Sequence, residues 1–278
     1  MAEHGLARWA APGRRGPLRG AFDLFKVVFY LVACAYRPSV YLWWKSVGFR
    51  IAGALGVYEA AHFRFLSSVL PHGGRFVDVG AHYGVYTRFL LGRAGVDGAV
   101  FAFEPHPEVF AELHRQFAGR PNCRLFRIAL SSRRREGLYL DVPKLYGIVP
   151  EPALSHLSTR FEAGAIPVEV RRLDDFAKEL ARIDFIKADI EGGELEFLEG
   201  SSGIIATHRP LILFECMDMD RQYDVVRRFA EPRGYRVCAL DAKGRPQPVR
   251  PDDSGQRDVN FYMMPSEPAA PSPKANSR

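Results

Sequence analysis

The sequence predicts an α/β fold: a three-layer sandwich in which helices cover both faces of a mostly parallel sheet. From residue 75 onward, short apolar runs alternate with helical patterns, as in successive β-α units. The runs are apolar almost throughout, which is typical of parallel strands buried on both faces. The last two runs are joined by 18 residues rich in Gly, Pro and charge. That linker favours a hairpin, so we expect the last strand to be antiparallel at or near one edge.

Seven runs are predicted strands, and four segments between them show helical patterns. The strands are residues 75–80, 99–104, 123–130, 183–189, 210–215, 235–240 and 259–264. The helical segments are VYTRFLLGRAG, HPEVFAELHRQF, ELEFLEG and DVVRRFAEPRG. We assign residues 56–264 to this domain.

The segment 131–182 interrupts the alternation. It contains two runs of period two, residues 137–143 and 166–173, with a polar stretch between them. Long insertions on compact domains more often bind ligands than fill the core. We therefore predict that this segment is the substrate-facing lobe. Residues 265–278 have too little apolar content to pack, which predicts a disordered tail.

The excess positive charge lies in an N-terminal arm, residues 1–55. Residues 1–50 hold eight Lys or Arg and two acids, and the formal net charge of the whole chain is +6. The rest is balanced, so we expect no nucleic-acid partner. The apolar run 27–36 is shorter than the ~20 residues that span a bilayer. The arm could pack on the body, contact a membrane peripherally through residues 1–50, or act as a signal or anchor.

The four cysteines have neither zinc-site nor redox-motif spacing, which indicates a reducing compartment and no structural metal. We expect a cytoplasmic protein, with membrane-peripheral contact as the variant that the arm suggests. The sequence does not define the oligomeric state.

Acidic residues mark the carboxyl ends of four predicted strands, where open α/β sheets bind ligands. They are Asp78, Glu104, Asp189 with Glu191 close by, and Glu215. Together they would make this rim of the sheet electronegative, so that it repels a pyrophosphate and attracts a cation.

The turn after the first strand, Gly80-Ala81-His82-Tyr83-Gly84, departs from the dinucleotide pattern G-x-G-x-x-G, and no P-loop is present. A nucleoside that bears positive charge and no phosphate fits both the turn and the acids, and S-adenosylmethionine is such a molecule. An NAD-dependent oxidoreductase and a non-catalytic, membrane-docked nucleoside-binding protein are the alternatives.

Five segments in order resemble the FkbM-type methyltransferase family. They are FVDVGAHYGVYT, FAFEPHPEVFAEL, VEVRRLDDF, IDFIKADIEGGELEFLEGSSGII and RPLILFE, within residues 75–216. The resemblance implies a class I, Rossmann-like methyltransferase that uses S-adenosyl-L-methionine, commonly for O-methylation. It implies an acceptor hydroxyl on a small molecule, a sugar, or a glycan- or lipid-linked compound.

The resemblance also implies roles for individual residues. Asp78, Gly80, Ala81 and Gly84 would hold the methionine part, Glu104 the ribose, and Ala129 the adenine. We add His82 and Pro105 to this predicted cofactor-binding set, although His82 stands where the family often has Asn.

Asp189 and Glu191 would face the methyl group and the substrate. Either could be the base that takes the proton of the acceptor hydroxyl, and Asp189 could also hold the cofactor's amine. The two acids lack an obvious third ligand, so we predict no metal site. His156, in the insertion, is a secondary candidate for substrate contact.

Overall fold

A computed structural model describes residues 60–142, 144–145, 149–150, 155–159, 165–190, 192–216, 219–249 and 260–266. The predicted arm (1–55) and most of the predicted tail lie outside these ranges, so the predictions for both stay as they are. Within the described ranges, none of the helices is long and apolar enough to cross a membrane.

The described residues form fourteen strands, seven α-helices and two 3-10 helices. The strands are β1 (Arg75–Val79), β2 (Ala99–Phe103), β3 (Cys123–Phe126), β4 (Ala129–Leu130), β5 (Arg135–Asp141), β6 (Lys144–Leu145), β7 (Val149–Pro150), β8 (His156–Ser158), β9 (Ile166–Arg171), β10 (Phe185–Ala188), β11 (Leu211–Glu215), β12 (Tyr235–Leu240), β13 (Pro246–Pro248) and β14 (Asn260–Pro265). The α-helices are α1 (Ala60–Val69), α2 (Val85–Ala94), α3 (Pro107–Phe117), α4 (Ala177–Leu180), α5 (Glu194–Gly200), α6 (Ser202–His208) and α7 (Met219–Ala230), and the 3-10 helices are Leu173–Phe176 and Glu231–Arg233.

Eight strands form the main sheet, in the order β13-β12-β14-β11-β10-β1-β2-β3. The five strands from β11 to β3 are parallel to one another. β14 is antiparallel to both of its neighbours, β11 and β12. The predicted antiparallel strand near one edge is therefore confirmed. β12 and β13 lie beyond it, and β13 is the edge strand.

Both faces of the main sheet are covered, which confirms the predicted three-layer sandwich. Successive side chains of a strand point to opposite faces, so Phe76 packs with α1 and α2 on one face. α3 contacts Ala102 on that same face. On the other face, Val77 belongs to the core formed with the 3-10 helix Leu173–Phe176, α4, α5, α6 and α7.

The segment 131–182 contributes most of a second sheet, in the order β4-β9-β5-β8. The run 123–130, predicted as one strand, is two strands in different sheets: β3 pairs with β2, and β4 pairs with β9. The end of the segment returns to the main core, where Leu173, Phe176 and Leu180 are buried. This segment is thus a small sheet followed by a core-packing stretch.

Candidate active site

Four residues lie side by side in one row at the carboxyl ends of β2, β1, β10 and β11. Val79 pairs with both Phe103 and Ala188, and Ala188 pairs with Phe214. The residues that follow these positions are Glu104, Gly80, Asp189 and Glu215. The row stands where open α/β sheets bind their ligands, and it contains three of the four predicted rim acids.

Gly80 opens the turn after β1 with φ +68°, and a Cβ atom there would overlap the carbonyl oxygen of Asp189. Glycine is therefore required both by conformation and by the close approach of two backbones. The N–H groups of Gly80 and Ala81 both donate to the carbonyl of Phe103, which ties the turn to β2.

His82 lies inside this turn with φ +49°, an uncommon conformation for a residue that has a Cβ atom. Its backbone N–H donates to Glu104 Oε2 at 2.8 Å. Strained backbone of this kind persists where surrounding contacts hold it in place. This hydrogen bond is one such contact, so Glu104 fixes the turn as well as standing beside it.

Gly84 closes the turn and precedes α2. It has φ +77°, and a Cβ atom there would overlap the Phe117 ring of α3. The two glycines of the motif thus serve different contacts: one lets β10 approach, and the other lets α3 approach the start of α2.

Glu104 is buried, and each of its carboxylate oxygens accepts a backbone N–H: Oε1 from His106 at 2.9 Å and Oε2 from His82. Burial raises the pKa of Glu104 to about 7, although these hydrogen bonds act in the opposite direction. Each oxygen keeps a second lone pair. Glu104 can therefore accept further hydrogen bonds, such as those of ribose hydroxyls.

Asp78 differs from the other rim acids, because its side chain has no exposed surface. Thr87 donates its hydroxyl to Asp78 Oδ2 at 2.6 Å, and the ammonium of Lys187 is 3.8 Å from Oδ1. Burial raises the pKa of Asp78, although both partners act to lower it. The expectation of four unopposed acids on the rim is thus corrected: Asp78 lies inside the sandwich, and a buried lysine stands among the acids.

Asp189 has a half-exposed carboxylate, with 39% of the side chain accessible, and its Oδ2 is 3.2 Å from Lys187 Nζ. Partial burial opposes its ionisation, but the Lys187 charge and a hydrogen bond with the Glu215 side chain hold the pKa of Asp189 below its usual value. Asp189 is therefore an anion that faces both solvent and the row.

The second predicted catalytic residue, Glu191, lies outside the described residues. The loop around it is held by Glu194, the buried first residue of α5. Glu194 Oε1 accepts the N–H groups of Ile190 and Gly192, each at 3.2 Å. The residues on both sides of Glu191 are thus fixed by one side chain.

The remaining predicted residues occupy three different places. Pro105 lies between Glu104 and His106, and burial lowers the pKa of His106 to about 4. Ala129 begins β4 and packs with Leu138 and Val170 in the second sheet. His156, on β8, faces Asp141 of β5 at 3.5 Å.

Lys187 is a residue of the candidate site that the sequence did not lead us to predict. It lies on β10, two positions before Asp189, which directly follows the strand, so continued alternation places both side chains on one face of the sheet. The lysine was visible in the K-x-D-x-E-G stretch, but the contact with Asp78 depends on the pairing of β1 with β10. Among the described residues, no group of three or more His, Cys, Asp or Glu side chains could hold a metal ion.

Comparison with known proteins gives the family. The model of the "Methyltransferase FkbM domain" matches residues 78–237, which is more than half of the chain. The chain is 24% identical over 221 residues to "Methyltransferase 1" of Beauveria bassiana, a match that covers 70% of this chain and 81% of that protein. It is 31% identical over 147 residues to "2-O-methyltransferase NoeI" of Sinorhizobium fredii, a match that covers 48% of this chain and 59% of that protein.

A crystal structure of methyltransferase FkbM from Methylobacillus flagellatus is 21% identical, with a TM-score of 0.45, and the match covers 71% of this chain and 46% of that one. The family match extends from Asp78 in β1 to Val237 in β12, and so includes the turn, Glu104 and the loop after β10. The chain therefore belongs to the FkbM methyltransferase family, and it is an S-adenosylmethionine-dependent methyltransferase with the class I, Rossmann-like fold.

Proposed function

We propose that the protein is an O-methyltransferase that uses Asp189 as its general base. The observation that carries this proposal is the half-exposed, anionic Asp189 carboxylate in the row beside Gly80. NoeI, one of the similar proteins, is named a 2-O-methyltransferase. The acceptor that we propose is a hydroxyl of a small molecule, a sugar, or a glycan- or lipid-linked compound.

S-adenosylmethionine, when bound, supplies a methyl group activated by its sulfonium. In our proposal the turn from Gly80 to Gly84 holds the methionine part, and Glu104 accepts hydrogen bonds from the ribose. Asp189 would take the proton of the acceptor hydroxyl and would orient that oxygen toward the cofactor. Such positioning and proton removal are the main contributions that a protein can make to methyl transfer.

Glu191 is the alternative base, because it stands two residues after Asp189 in the loop that Glu194 holds. Substitution of each acid by its amide separates the two assignments.

We propose further that the second sheet selects the acceptor. It follows the main sheet directly through β3 and β4, and its strand β8 carries the exposed His156 beside Asp141. An acceptor that approaches Asp189 from this side would meet polar groups suited to hydroxyl recognition.

The experiment is a screen of hydroxyl-bearing acceptors with a radiolabelled methyl donor, followed by kinetics of Asp189→Asn and Glu191→Gln. We expect Asp189→Asn to lower kcat by about 10²- to 10⁴-fold and to leave the affinity for S-adenosylhomocysteine within about tenfold. Glu196→Gln, an exposed acid of α5, is the matched control and should retain kcat.

Three outcomes would contradict the proposal in different ways. Label on a nitrogen or carbon would exclude O-methylation. A loss confined to Glu191→Gln would assign the base to Glu191. Full turnover of Asp189→Asn with weakened S-adenosylhomocysteine binding would show that Asp189 holds the cofactor's amine instead.

A further inference from the structure

Lys187 is an almost completely buried cation at the centre of the row. Its Nζ donates to the carbonyl oxygen of Gly80 at 2.9 Å and lies 3.2 Å from Asp189 Oδ2 and 3.8 Å from Asp78 Oδ1. The Tyr86 ring of α2 is 5.4 Å from Nζ, within reach of a cation-π contact. Burial of an ammonium costs several kcal/mol unless it is paired, so these contacts hold the side chain where it is.

The contacts of Lys187 divide into fixed and adjustable partners. Asp78 is fully buried and hydrogen-bonded to Thr87, and Gly80 is fixed by its turn. Asp189 is different, because its half-exposed carboxylate could turn toward solvent. The ammonium is thus anchored on one side by rigid groups, and on the other side it contacts the acid that faces the ligand.

We propose that Lys187 is a positioning residue, whose anchored ammonium fixes the orientation of the Asp189 carboxylate and favours its anionic form for the acceptor hydroxyl. This inference rests on the role proposed above for Asp189. Lys187 itself need not touch the substrate, since it acts through a carboxylate oxygen 3.2 Å away.

The other charged or titratable groups around Asp189 in the described part of the chain come from the turn after β1, the start of α5, β1 and β11. They are His82, Glu194, Asp78 and Glu215. Three of the four are acids, so loss of Lys187 would leave Asp189 among carboxyl groups, with His82 as the nearby group able to become a cation. The pKa of Asp189 would then rise.

The experiment compares the pH dependence of kcat for the wild type, Lys187→Met and Lys187→Gln. Gln keeps a donor for the Gly80 carbonyl but carries no charge, which separates the charge from the hydrogen bond. We expect the acid limb of the profile to move up by about one to three pH units in both variants. The loss of turnover should therefore grow as the pH falls through the displaced limb and become small by pH 8.5.

A purely structural lysine would give a different result: a lower Tm and a loss of kcat that is the same at every pH. That outcome in a folded variant would overturn the inference. In an Asp189→Asn background, Lys187→Gln should cause no further loss of kcat. If Lys187→Gln lowers kcat there by the same factor as in the wild type, the inference is also overturned. If Lys187→Met does not fold, the double variant Asp78→Asn/Lys187→Met takes its place in the pH comparison. The double variant removes both members of the buried charge pair, so neither is left unpaired.

A second readout does not depend on turnover. Carboxyl ¹³C NMR titration, with the Asp189 resonance identified by its absence in Asp189→Asn, measures the protonation of Asp189 directly. We expect Asp189 to protonate at higher pH in Lys187→Gln than in the wild type. Unchanged titration would refute the inference about Lys187, whereas a failure to methylate any hydroxyl would refute the proposed function alone.

Discussion

At the residue scale, the buried carboxyl group of Glu104 links a measurable protonation change to the contact that we propose with the cofactor. It is buried between two backbone amides, and its pKa is about 7 rather than the ordinary 4.5. The folded protein therefore favours the protonated acid. Its contribution to stability is complete below pH 4.5 and is lost as the pH rises through about 7.

Glu104→Gln should remove this pH dependence. Between pH 4.5 and 8, we expect the free energy of unfolding of the wild type to fall by about 3 kcal/mol relative to the variant. Chemical denaturation across that pH range measures the difference, and Glu108→Gln, an exposed acid of α3, is the control. Parallel curves for wild type and Glu104→Gln would contradict the raised pKa.

The same carboxyl group should make cofactor affinity depend on pH. Ribose hydroxyls donate to a carboxylate, so the anionic form of Glu104 is the form we expect to bind. We predict that wild-type affinity for S-adenosylhomocysteine is about tenfold weaker at pH 6 than at pH 8, because only a minor fraction of Glu104 is anionic at pH 6. Calorimetry at both values tests this, and an equal dependence in Glu104→Gln would assign the effect to another group.

At the scale of elements, the sequence was most informative where strands are buried on both faces. The runs that became β1, β2, β10, β11, β12 and β14 were predicted to within two residues at each end, because near-continuous apolar character reports burial directly. The run 123–130 was wrong as a single strand, since apolar character does not show that the chain leaves one sheet after Phe126 and joins another. β13, with two prolines in three residues, was missed because proline is tolerated in strands chiefly at edges.

The contact between α2 and α3 depends on Gly84, which gives a prediction at this scale. Gly84→Ala would place a methyl group against Phe117 and Leu113 and would force a left-handed conformation on alanine. We expect a loss of about 2 to 4 kcal/mol in the free energy of unfolding, measured by denaturant titration. Gly137 also has a positive φ, but a Cβ atom there meets nothing within 4 Å. Gly137→Ala therefore isolates the backbone strain, and equal losses in the two variants would exclude the packing explanation.

At the scale of the whole molecule, pairing between distant strands creates the site. The acids at strand ends could be predicted, because the carboxyl ends of parallel strands share one edge. The order of the strands could not be predicted. The contact of Lys187 with Asp78 and that of Asp189 with Glu215 depend on this order, so the sequence did not reveal them. The second sheet was anticipated only as two period-two runs, since periodicity does not indicate a partner.

Ligand binding should stabilise the whole domain. We expect S-adenosylhomocysteine at about a hundredfold excess over its Kd to add about 2.7 kcal/mol, a rise in Tm of about 5 to 10 °C for a domain of this size. NAD at the same concentration should leave Tm unchanged. Differential scanning fluorimetry makes the comparison, and a rise with NAD instead would contradict the cofactor assignment.

The position of β14 affects how the chain is completed during synthesis. Because this late segment lies between β11 and β12 rather than outside them, the two halves of the sheet cannot close until it has left the ribosome. A chain that stops before residue 260 would present two unpaired strand edges, each a template for aggregation with another copy. Until β14 is inserted, β11 and β12 therefore each leave one edge open to pairing with another chain.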